Sequence, residues 1–161
     1  MVTAEQLRQE FMDHMDKLGV RYTVMDDEDN IVYLSFGGDT ETFVIVDFDE
    51  SNDGDANSVC FVSQGFAQVK QANVPAALVK LNEVNGRYRW VKFFMRENQL
   101  TAIFDAKVYP GSVGDECTEM AVRMSNNIER ALKDFEGIAV VDDDAKWAFD
   151  MMAAMKHMSG K

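Results

Sequence analysis

At 161 residues, with 47% hydrophobic and 27% charged residues, the chain has the size and composition of one globular domain that buries its own core without disulfide staples. Its net charge of −12 argues against nucleic acid as a partner, because affinity for a phosphate backbone comes mainly from Lys and Arg. No apolar run approaches the roughly 20 residues that span a bilayer, and Met1 to Glu10 lacks the apolar stretch of a secretion signal, so no membrane partner and a cytoplasmic location are expected.

The chain opens on a helix predicted from Thr3 to Leu18. Thr3 and Gln6 have the spacing of a capping box, in which each side chain satisfies a free backbone N–H. Leu7, Phe11, Met15 and Leu18 recur at helical spacing, and Gly19 suits a left-handed C-terminal cap. Strands follow over Arg21–Met25, Ile31–Phe36, Phe43–Phe48 and Ser58–Ser63, separated by polar and Gly-rich turns at the rhythm of an antiparallel meander. Ile31–Leu34 and Phe43–Val46 are apolar at every position, where a sheet wet on one side would alternate. Both sheet faces are therefore expected to be covered, by helices or by a second subunit.

A shorter helix is expected from Asn73 to Asn85, with Pro75 in its first turn, where a missing N–H costs nothing, and Asn85-Gly86 at its end. A hairpin then joins Tyr88–Met95 to Leu100–Val108. A long helix from Ser112 to Phe135 carries the stripe Cys117, Ala121, Met124, Ile128, Leu132 and Phe135, and Gly137 stops it. After Ile138–Val141 and three aspartates, a last helix is predicted over Ala145–His157, with Asp144 as its N-cap. The fold class is α+β, an antiparallel sheet packed by helices in the order α-β-β-β-β-α-β-β-α plus a C-terminal helix. Residues 1–161 read as one domain, with 138–161 as an appended segment.

Catalytic parts are missing at the level of motifs. There is no GxSxG elbow, P-loop, GxGxxG turn or HExxH helix, and the two histidines, His14 and His157, stand at opposite ends of the chain. No enzyme, cofactor or zinc site is expected. Cys60 and Cys117 have no CxxC or neighbouring His pair and read as buried, reduced thiols.

The acidity is regional: Tyr22 to Val69 holds eleven Asp or Glu and no Lys or Arg, while the remainder carries seventeen acids against sixteen bases. Within that stretch Asp47, Asp49, Ser51, Asp53 and Asp55 place oxygens at alternate positions, as a hard cation requires. Laid on a calcium-binding helix–loop–helix, the loop puts Gly54 at the turn but Cys60 where a bidentate Glu belongs. Calcium is thus the alternative reading, and a solvated loop the simpler one. The basic group Arg87, Arg89, Lys92 and Arg96 is expected to pair with the acidic region. The last helix carries Met151, Met152, Met155 and Met158 beside Trp147, a composition that suits adaptable protein contacts.

The element order, with Asn73-Val74-Pro75 opening the short helix, Leu81-Asn82 and Asn85 near its end, and Trp90-Val91-Lys92-Phe93 through Ile103-Phe104-Asp105 after it, resembles the YbjN family of bacterial proteins. The resemblance covers roughly Thr3 to Phe135. It implies a fold like that of type III secretion chaperones, which are small, acidic, dimeric α+β proteins, and a regulatory role. The function expected is a non-enzymatic, homodimeric protein-binding module, chaperone-like or adaptor, whose partner is a protein or an amphipathic peptide segment. Contact is expected through the sheet's apolar face or through Trp147, Met151, Met152 and Met155.

Overall fold

The computed structural model describes residues 1–26, 29–48 and 55–141. The elements are α1 (Ala4–Leu18), β1 (Tyr22–Thr23), β2 (Ile31–Phe36), β3 (Thr42–Asp47), β4 (Ser58–Val69), α2 (Val74–Arg87), β5 (Lys92–Arg96), β6 (Gln99–Lys107), α3 (Val113–Asp134) and β7 (Ala139–Val141). The strands form one seven-stranded antiparallel sheet in the order β1-β2-β3-β4-β6-β5, with β7 on β4. The fold is α+β. The helix predicted over Ala145–His157 lies outside the described residues.

Local chemistry accounts for the helix ends. Thr3 Oγ1 accepts from the Gln6 N–H at 3.2 Å and Gln6 Oε1 accepts from the Thr3 N–H at 3.1 Å, so the capping box closes. Gly19 ends α1 at φ 70°. Ser112 gives α3 no side-chain cap. Glu10 of α1 supplies one instead, its Oε1 accepting from the N–H groups of Gly111 at 2.9 Å and Val113 at 3.3 Å. A carboxylate at the positive end of a helix is favourable, and here it also ties α1 to α3.

Leu7, Phe11 and Met15 of α1, Ala77, Leu81 and Val84 of α2, and Cys117, Ala121, Met124 and Ile128 of α3 meet in one core. The strands contribute Val32, Leu34, Val44, Val46, Val59 and Phe61, which share one side of the sheet. Leu18, expected on the apolar stripe, is 55% exposed, because it falls on the last turn beyond the sheet.

Four sequence expectations change. The helix α2 runs two residues past Asn85 to Arg87, since Gly86 stays within the helix. The hairpin strand begins at Lys92 rather than Tyr88, because Tyr88 turns back to pack edge-on against Phe93 at 5.5 Å. The strand β4 continues past Ser63 to Val69, through a bulge in which four steps along β4 span two along β6. Gly65 sits in the bulge at φ +64°, a conformation a side chain resists. Finally, the expected cover on both faces is absent among the described helices: all three lie on one side, and β3 shows strict alternation of buried and half-buried residues.

Candidate functional site

The side of the sheet away from the helices carries a row of apolar side chains. Tyr33, Ile45, Val62 and Ile103 stand side by side across β2, β3, β4 and β6, each in register with the next. At strand spacings of about 4.8 Å the row is about 14 Å long. All four are half-buried, shielded by one another and by flanking Ile31 and Phe43, and none belongs to the helix-packed core. Phe94, on the same face of β5, is 40% exposed.

The row has chemically distinct borders. On one side Asp47, Cys60 and Asp105 align across β3, β4 and β6. Burial pushes the Cys60 thiol up to about 12, helped by its hydrogen bond to Asp105 and by the charges of Asp105 and Asp47. The thiol is therefore protonated and chemically quiet at neutral pH. On the other side the bulge leaves a concavity of about 310 Å³ among Val62, Gln64, Phe94, Arg96 and Thr101. The Gly65 N–H there donates to Thr101 Oγ1 at 3.3 Å.

Of the five oxygen ligands of the calcium reading, Asp49, Ser51 and Asp53 lie outside the described residues, and Asp47 and Asp55 end separate arms of the loop. The Asp55 carboxylate pairs with the Lys107 ammonium and accepts from the Asn57 N–H at 3.0 Å, and these hold it below the usual carboxylate range. Among the described residues no three His, Cys, Asp or Glu side chains gather as a metal site would need. The residues Trp147, Met151, Met152 and Met155 also lie outside the described residues.

Two members of the basic group are engaged outside the acidic stretch. Arg87 binds Asp134 of α3 at 2.8 Å, and Lys92 donates to the carbonyls of Asn85 at 3.2 Å and Tyr88 at 2.9 Å. The acidic stretch instead reaches Lys107, through Asp55. His14 lies 3.5 Å from Asp115, at the α1–α3 contact and away from the sheet's open face. No helix among the described residues is long and apolar enough to cross a membrane.

The individual members of the apolar row are not legible in the sequence. Alternation marks such residues only when one face is polar, and in β2 and β3 both faces are apolar. Register across four strands, which puts Val62 between Ile45 and Ile103, is a property of pairing rather than of any one strand.

The fold matches that in "Crystal structure of YbjN, a putative transcription regulator from E. coli", with a TM-score of 0.58 and 16% identity over 80% of this chain and 90% of that one. No curated protein matches the sequence. A family model described as "Putative bacterial sensory transduction regulator", a description of a regulator rather than an enzyme, matches residues 8–124, nearly three quarters of the chain. That match spans well over half of the chain, and the chain belongs to the YbjN family.

Proposed function

We propose that this chain is a non-enzymatic regulatory adaptor that binds protein through the open face of its sheet. The observation that carries the reading is the apolar row Tyr33–Ile45–Val62–Ile103, which no described helix covers. A monomer in water gains by covering such a patch, and a protein contact is one of the uses that contiguous apolar surface marks. Two occupants fit: a second copy of the chain, giving a homodimer, and the apolar side of an amphipathic partner segment. The likeness to type III secretion chaperones belongs to the same reading, as does a cytoplasmic location. The alternative contact is the group Trp147, Met151, Met152 and Met155, whose composition is soft enough to repack around different partners.

The test is solution mass by size exclusion with light scattering over a dilution series, on the natural chain and on Val62→Glu and Ile45→Glu. A dimer in the natural chain that becomes a folded monomer in both variants is the expected result. Dilution-independent monomer in the natural chain, with no change in the binding of an apolar fluorescent dye when Val62 or Ile45 is replaced by Glu, overturns the reading. Calcium binding at residues 47–55 is the alternative, with Asp55 already engaged by Lys107.

A further inference from the structure

A second surface lies at the edge of the sheet, where the β5–β6 ladder stops short. It ends at Lys92 opposite Ile103, so no described strand pairs with that edge of β6 from Phe104 to Lys107. The hairpin turn at Glu97 and Asn98 has φ 51° and 61°, the two-residue type that makes Arg96 and Gln99 a hydrogen-bonded pair. Backbone groups alternate in direction along a strand, so those of Gln99, Thr101, Ile103 and Asp105 point toward the β5 side. The Val108 N–H, at the opposite parity, donates the other way, to Asn57 O at 2.9 Å. Asp105 therefore presents its N–H and C=O outward, past the end of β5.

Beside this edge is a groove of about 340 Å³ between β6 and α3. Val91, Phe104, Ala106 and Met120 make its apolar floor, and Phe104 stacks on core Phe61 at 5.2 Å. Trp90, 59% exposed, stands at its rim. A sheet edge next to a groove walled by a helix is the arrangement by which domains take up an extended peptide as an added strand: backbone hydrogen bonds hold it, and a pocket selects alternate side chains. The charges select further. Arg123 pairs with Glu119 and Lys107 with Asp55, which leaves Glu116 as a rim carboxylate with no cationic partner among the described residues, while the Asp105 carboxylate stands on the open face against Cys60.

We infer that this edge binds an extended peptide segment as a strand beyond β5, with a large aliphatic side chain in the groove and Lys or Arg flanking it. The site is separate from the open sheet face, and either can fail without the other.

The probe is a fluorescein-labelled Lys-Val-Leu-Val-Lys peptide, followed by anisotropy on the full chain. Saturable binding is expected, at least tenfold weaker for Glu-Val-Leu-Val-Glu. Backbone N-methylation should weaken binding at least tenfold at residues of one parity and little at the other, since only alternate amides face β6. Met120→Arg, which fills the groove, should lower affinity at least tenfold. Glu116→Lys, on the surface of α3, should reverse the charge preference with the fold intact by circular dichroism. Val62→Glu, on the open sheet face, should leave the peptide affinity unchanged whatever it does to the solution mass. The absence of saturable binding up to millimolar protein, equal effects of N-methylation at both parities, or loss of binding in Val62→Glu but not in Met120→Arg would each overturn the proposal.

Discussion

The side-chain amide of Asn85 brackets the backbone of Phe93: its Nδ2 donates to the Phe93 carbonyl at 2.8 Å and its Oδ1 accepts from the Phe93 N–H at 2.8 Å. An asparagine thereby stands in for one residue of a neighbouring strand at the outer edge of β5. It satisfies both backbone groups of a residue whose ring is buried between Phe66 and Tyr88. The pair also explains why the chain leaves α2 and enters β5 at a fixed height, since one side chain docks the last turn of the helix onto the strand.

Replacing Asn85 by Ala should leave both Phe93 backbone groups without that partner, at a cost of about 1–3 kcal/mol. Thermal unfolding should fall by several degrees. Asn85→Asp keeps the acceptor and loses the donor, so it should fall between. A melting temperature unchanged in Asn85→Ala would show that water replaces the amide without loss.

Gly114, in the first turn of α3, is a site where the better helix former should do harm. A Cβ placed there would lie 2.4 Å from Cγ of His14 and 2.6 Å from its Cβ, so α1 and α3 approach too closely for any side chain. Alanine in an exposed helix gains about 1 kcal/mol over glycine. Here Gly114→Ala should lower the melting temperature. The double variant His14→Gly/Gly114→Ala, which also removes the His14 Cβ, should recover part of the loss, and simple additivity of the two would refute the clash.

Both thiols should resist reagent in the folded state. Burial raises Cys117, with Glu116 and Glu10 adding to it, and pushes Cys60 up to about 12. A thiol-exchange reagent at pH 8 should release colour only after denaturant is added. The pH dependence has a definite sign. The unfolded thiols ionise near 9.0 while the folded ones keep their protons, so their contribution is whole below pH 9 and declines as pH rises toward 12. The raised hydroxyls of Tyr22, Tyr33 and Tyr88 add loss in the same direction. Cys60→Ala should lessen the alkaline decline, and an unaltered pH profile in that variant would assign the decline elsewhere.

Calcium should leave the melting temperature where it is. Asp55 is committed to Lys107 and the Asn57 N–H, and a cation at residues 47–55 would have to displace that ammonium. A ligand that binds the folded state alone raises stability by about 2.7 kcal/mol at a hundred times its Kd. A clear upward shift at millimolar calcium would therefore establish the alternative reading.

The amino-acid sequence by itself determined what depends on neighbours along the chain. The Thr3–Gln6 box, the stop at Gly19, Pro75 in the first turn of α2 and the Cys117–Ile128 stripe are set by backbone hydrogen bonding and the period of the helix, and each stands in the structure. The four-strand meander followed from turn chemistry for the same reason. Tertiary structure alone decided what depends on pairing across the sheet. It extended β4 through its bulge, laid β7 on β4, put all three described helices on one face and lined up Tyr33, Ile45, Val62 and Ile103 on the other. Glu10 reaching the start of α3, over a hundred residues away, belongs to the same class. A local pattern records which residues avoid water, but which residues they meet is set only when distant strands fix their register.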